Sequence, residues 1–178
     1  MPAQNIDLID ITQEFMAVSS TGGSTLRNQE PGVVRAIQAR LGKLALGGIP
    51  TDSRDEYERW LDGTTNRLLR GVPAQIRPWG TARKATNLFL RACICDHLLR
   101  AEFRLSKIEL WAEMPLDSVV TTALKRRAGR GQLPGWPGLK RLKHQENHEF
   151  QVFAQHYALQ LGLPNRLYLD YYLWLRNR

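Results

Sequence analysis

Cysteine is nearly missing from this chain. Only Cys93 and Cys95 occur, and a spacing of two within an apolar helical stretch turns their side chains to different faces, which argues against a disulfide or a metal pair between them. Without a four-cysteine run there is no seat for an iron–sulfur cluster. Long apolar runs are lacking as well: nothing approaches the about 18 apolar residues of a membrane span. No basic-then-apolar signal segment is present either, so the expectation is a cytoplasmic protein with no membrane partner. Strand-like alternation is absent throughout, which leaves an all-α fold. Acidic residues are in deficit, with 17 Asp plus Glu against 25 Lys plus Arg, a net charge of +8 and a sequence pI near 9.9. That surplus favours a polyanionic partner.

What is present fits one helical unit. A chain of 178 residues is about one domain long, and no internal repeat or long linker divides it, so a single monomeric domain over 1–178 is expected. Apolar spacing predicts a helix over 4–18, through Ile6, Ile9, Phe15 and Val18, and then a loop over 19–24. Val33, Val34, Ile37, Leu41 and Leu44 predict a helix over 31–46 with Pro31 in its first turn. Thr51 or Asp52 is expected to cap the next helix, through Leu61, with a further short one from Thr64 to Leu69. The longest helix is expected from Thr81 to about Phe103. Another follows Asp117 through Leu124, then a Gly-, Pro- and Trp-rich loop over 128–138, a helix from Glu146 to Leu161 stopped by Gly162, and a last one from Leu167 to Leu175.

Two segments carry chemistry. Trp79-Gly80-Thr81-Ala82-Arg83-Lys84-Ala85-Thr86-Asn87-Leu88 reads as a turn opening a helix with a lysine in its first turn, and Met114-Pro115-Leu116-Asp117-Ser118-Val119-Val120 delivers an aspartate shortly after a proline. The positive end of a helix dipole disfavours an ammonium beside it, so a lysine there is the easier to use as an amine. An amine and a carboxylate in one cleft are equipped for nucleophilic and electrostatic work.

Arg83-Lys84-Ala85-Thr86-Asn87-Leu88 resembles the Gly-Arg-Lys-Thr-Ala-Asn run that closes the hairpin of helix-hairpin-helix DNA glycosylases, and Pro115-Leu116-Asp117-Ser118-Val119-Val120 resembles their Val-Asp-Thr-His-Val run. The likeness covers roughly 70 to 128, with the hairpin itself at Val72-Pro73-Ala74-Gln75-Ile76-Arg77-Pro78-Trp79-Gly80. It implies a compact helical glycosylase-like domain acting on DNA without a cofactor, in which Lys84 stands at the Schiff-base lysine of the bifunctional members and Asp117 at the aspartate found in nearly all of them. The archaeal 8-oxoguanine glycosylase branch is one such relative. The phage enzymes that hypermodify thymine, including amino acid:DNA transferases, are another, and they imply group transfer to the base in place of excision. A catalytically silent DNA-binding module on the same fold is the third reading.

The remaining assignments follow from that picture. Arg83, Lys125, Arg126, Arg127, Arg130, Lys140 and Lys143 are expected to contact phosphates, although a solvated basic face would look the same in sequence. Trp79 and Trp136 are expected to flank the cleft and stack on an extruded base, and Gln151 to bond a base edge. His144 and His148 stand four apart, yet no acidic residue is spaced to complete a metal motif, so no metal is expected. Asp170 reads as the buried partner of an arginine, ahead of a second carboxylate in the site.

Overall fold

The computed structural model describes residues 7–23, 25–26, 29, 32–70 and 78–176. Among them every regular element is helical, and no helix is long and apolar enough to cross a membrane. The hairpin segment that the family resemblance singled out lies, over 71–77, outside the described residues, as do Ile6 and Pro31.

Helix α1, Leu8–Ser20, starts at Asp7, whose Oδ1 accepts from the Ile9 amide at 2.8 Å. It runs through the serines expected to break it, and it leaves Phe15 and Val18 63% and 58% exposed rather than inward. One of its two buried residues, Gln13, is polar; the other is Ala17. The Gln13 amide donates to the carbonyls of Leu41, Gly42 and Leu44, filling acceptors that the end of a helix leaves orphaned. That helix, α2, is Val33–Leu41, shorter than its apolar spacing suggests because the amides of Lys43 and Leu44 turn back by three residues to Arg40 and Leu41, and it buries Val33, Ile37 and Leu41. A 3₁₀ turn at Leu46–Gly48 leads on to α3, Arg54–Leu68, which Ser53 caps in place of Thr51 or Asp52. It continues through Gly63, so two expected helices are one.

Helix α4, Trp79–Cys95, is the axle of the fold, buried continuously from Gly80 to Leu90. It ends eight residues before Phe103 because the Asp96 carboxylate takes the amides of Leu98 and Leu99 at 3.0 and 2.9 Å and starts α5, His97–Glu102. A side chain that offers the backbone its own acceptor competes with helix continuation. A 3₁₀ turn at Leu105–Lys107 precedes the extended approach to α6, Ser118–Ala128. Helix α7, His144–Gln160, stops where Gly162 adopts φ +73 and the Leu163 amide reaches back to the Ala158 carbonyl, a left-handed stop that only glycine takes without strain. Helix α8 is Arg166–Arg176.

The apolar interior has two lobes. One joins α1 to α5 around Ile37, Tyr57, Leu61 and Phe89; the other joins α6, α7 and α8 around Met114, Leu124, Phe150 and Leu169. Trp79 packs against both, and Gly80 permits the contact: a Cβ there would fall 2.5 Å from the Leu139 carbonyl oxygen and 2.7 Å from Leu142 Cβ. The start of α4 is therefore pressed onto the turn that leads into α7, at the seam between the lobes.

Candidate functional site

A central helix buried all round is normally apolar, yet α4 carries Arg83, Lys84, Thr86 and Asn87 in its buried middle. Charges held away from water must be paired. Lys84 meets this with two bonds: its Nζ donates to the Thr25 carbonyl at 2.9 Å and to Asp117 Oδ2 at 3.3 Å. The two residues are separated by 33 positions in the chain, and the sequence pairing of Lys84 with Asp117 is met in space. Lys84 is not in the first turn as expected. Because α4 starts at Trp79, Lys84 falls in the second turn, beyond the reach of the terminal dipole, which fades within one turn. Its environment is made by Asp117 and Thr25 instead.

Asp117 divides its two oxygens between two tasks. Oδ1 accepts from the Val120 amide at 3.0 Å and caps α6, while Oδ2 faces Lys84. Its side chain is 27% exposed against 8% for that of Lys84, so the carboxylate is the solvent-facing half of the pair. On α8, Asp170 is paired with Arg91, two turns along α4 from Lys84. That bears out its reading as an arginine's partner. Burial pushes the Asp170 carboxyl up to about 6, against the pull of Arg91 and with the Asp117 charge adding to the rise.

Because the folded value lies above the ordinary 3.8, Asp170 favours the folded state most at low pH and loses that contribution as pH rises from about 4 through about 6. Asp170→Asn has no such titration. Chemical denaturation at several pH values should therefore show the variant gaining on the native protein across this window, by about 3 kcal/mol for two pK units. A difference that stays constant from pH 4 to 7 would remove the buried-acid assignment.

Two expected contacts are corrected by burial. Arg83 is 3% exposed and faces inward: its Nε and Nη2 hold the Glu113 carboxylate at 2.8 Å each, and its Nη1 holds Asp62 at 2.8 Å. A guanidinium so occupied does not grip a phosphate. Gln151 is 1% exposed; it accepts from the Met114 amide at 3.0 Å and donates to the Met114 carbonyl at 2.7 Å. Both ends of its amide are committed to backbone, which leaves no edge for a base.

Trp79 and Trp136 are both half-buried. Trp79 lies edge-on to His144 at 5.7 Å, with the Arg83 guanidinium 5.4 Å from its ring centre. Trp136 packs edge-on to Phe150 at 6.1 Å. His144 bonds Asp62 at 3.0 Å, and no group of three or more metal-ligating side chains occurs among the described residues.

The basic residues fall at two places. Lys125, Arg126 and Arg127 occupy the last turn of α6, where cations suit the helix dipole, and Arg127 covers the Tyr157 ring at 5.2 Å. Lys125 lies eight positions beyond Asp117, about 12 Å along the helix. Arg130, exposed, follows them, and Lys140, Arg141 and Lys143, also exposed, belong to the stretch packed on the first turn of α4. The residue that sequence reasoning passed over is Glu113. Burial alone would raise its carboxyl; the charge and hydrogen bonds of Arg83, with Arg166 and Asn87 adding, reverse this and hold it down at about 2. Its signal was the pairing of adjacent cations, Arg83 and Lys84, with two carboxylates four apart.

Fold and site together define an all-helical protein whose two lobes meet at buried cation–carboxylate pairs. Comparison with protein-family models, with curated proteins and with solved structures finds no match to this chain.

Proposed function

We propose that this chain is a DNA base-acting enzyme of the glycosylase kind, which holds a base turned out of the stack and breaks its N-glycosidic bond with Lys84 and Asp117. The observation that supports it most is the meeting of Lys84 Nζ with Asp117 Oδ2 at 3.3 Å in a mostly enclosed seam whose carboxylate side opens to solvent. In this reading Lys84, as the free amine, gives its electron pair to the sugar's anomeric carbon. The bond to the base breaks with its electron pair leaving on the base, the Asp117 carboxylate stabilises the positive charge on the sugar, and the proton that the attacking amine gives up passes through Asp117 to the departing base. Lys125, Arg126, Arg127, Arg130, Lys140 and Lys143 are the phosphate contacts.

A second reading rests on the bonds Lys84 already makes. Held by both Thr25 and Asp117, the lysine serves as a fixed cation, and the reaction is group transfer: an amine from outside the chain bonds to the 5-methyl carbon of an activated thymine, the activating group leaves that carbon with the electron pair of its bond, the amine gives up a proton, and the glycosidic bond stays intact.

Incubation with duplexes that each carry a different modified base, an activated thymine among them, with and without an added amino acid as the amine, followed by mass spectrometry of free base and of DNA, separates the readings. Released base is the expected result. A heavier DNA with no released base favours transfer, and no product from any duplex overturns both enzymatic readings. Binding measured against salt adds an independent check. Neutralising about four to six phosphates gives a slope of roughly −4 to −5 in log affinity against log salt, and a flat response would end the nucleic-acid proposal.

A further inference from the structure

Segment 111–117, which delivers Asp117 to Lys84, has no regular secondary structure over 112–117, yet four successive residues leading up to Asp117, Trp111 to Met114, are tied down from outside. Arg166 donates to the Trp111 carbonyl at 2.6 Å and to the Ala112 carbonyl at 2.9 Å. Gln151 holds both polar groups of Met114. Between them the Glu113 carboxylate takes Arg83 in a two-pronged bond, Asn87 at 3.0 Å, and Asn147 at 3.1 and 3.2 Å.

The order of these contacts along α4 matters. Arg83 is next to Lys84, and Asn87 is about one turn further on, so both α4 residues that bind Glu113 flank the lysine. Glu113 in turn lies four residues before Asp117. Helix and strap are thus joined by two rungs: a buried one, Arg83 and Asn87 to Glu113, and a partly open one, Lys84 to Asp117.

We propose that Glu113 is a positioning residue, and that the buried rung it forms with Arg83 and Asn87 sets the separation and alignment of Lys84 and Asp117. The open rung alone does not do this. It is a single 3.3 Å contact between one ammonium and one carboxylate oxygen, and a point contact of that kind fixes no direction. The buried rung is planar, two-pronged and cross-braced from α7 by Asn147, a geometry that restrains direction as well as distance. Removing it lets the 113–117 stretch shift relative to α4 while the cap of α6 by Asp117 stays made. The chemical consequence rests on the glycosidic reading above; the mechanical one does not.

Glu113→Asp tests this in the full chain, since it keeps the charge and withdraws the carboxylate by one methylene, about 1.5 Å. Glu113→Gln keeps the length and removes the charge. Asn87→Ala is the gentle third variant, because it loosens the same rung while deleting an oxygen, Asn87 Oδ1, that has no hydrogen-bond partner among the described residues.

Each is melted with and without Asp117→Asn. Coupled rungs give melting shifts that do not add, whereas independent ones add. On the duplex that releases its base, the single-turnover rate is expected to fall about 10- to 100-fold, the scale of a misplacement near 1 Å, with duplex affinity and salt slope unchanged. Additive melting shifts together with an unchanged rate would overturn the positioning role. Non-additive melting with no base released even by the native protein would sink the glycosidic reading and leave the positioning role standing.

Discussion

Lys84→Gln is expected to abolish the covalent protein–DNA adduct that borohydride traps from the native protein on its substrate duplex. Reduction captures a Schiff base between an amine and the opened sugar, and only an amine close enough to attack the anomeric carbon forms one. Glutamine keeps the first three side-chain carbons and an N–H donor, but one bond nearer the backbone, so the contact to the Thr25 carbonyl made at 2.9 Å is lengthened by about 1.5 Å. What disappears is the nucleophile and the positive charge facing Asp117. The fold should survive with a loss of about 1 to 3 kcal/mol, the range for leaving a buried polar partner poorly satisfied, while adduct yield falls to background. An adduct of unchanged yield would take Lys84 out of the covalent step and assign that step to a different amine of the chain.

Asp117→Asn separates a cap from a catalyst within one side chain. The Oδ1 bond to the Val120 amide, 3.0 Å, is one that asparagine also makes, and asparagine is as good a cap as aspartate. The cap itself should therefore change by about 1 kcal/mol or less, and leaving the buried Lys84 cation without its carboxylate adds about 1 to 3 kcal/mol. The Oδ2 position facing Lys84 instead becomes either a neutral oxygen or an amide nitrogen pointed at a cation, and the charge that stabilises a developing cation on the sugar is gone. The expected result is a folded protein with a modest loss in melting temperature, equal or tighter duplex binding because in the proposed reading a negative charge has left the side that faces phosphates, and a single-turnover rate lower by about two to three orders of magnitude. Normal turnover with a lowered melting temperature would mean that Asp117 only caps α6.

The all-α class was legible because period-three-to-four spacing recurs along the chain and alternation does not. The two chemistry-bearing segments were legible too, because an aspartate at a helix start and a lysine within the first two turns of another helix are local facts. Helix ends were less so. Asp96 splits one expected helix by taking two amides, and Gly63 fails to split another because α3 packs its Leu61, Thr64 and Thr65 inside on both sides of it. In each case side-chain bonding or burial outweighed propensity, which is a weak term per residue.

The sequence by itself determined that this protein is helical, basic and equipped with an amine and a carboxylate on two helix-start segments. It also determined that Gly162 would end α7, since φ +73 is a backbone state that glycine alone enters freely. Only the tertiary structure decided which charges meet. Arg83 and Lys84 are neighbours in the chain with the same charge sign, yet one is turned to the sealed Glu113 and the other to the half-open Asp117. Gln151 looks like any helix glutamine until α7 lies against Met114. The physical reason is burial: exclusion of water turns a charge that is cheap on a surface into one that must find a specific partner, and that partner is chosen by packing across the seam rather than by anything adjacent in sequence.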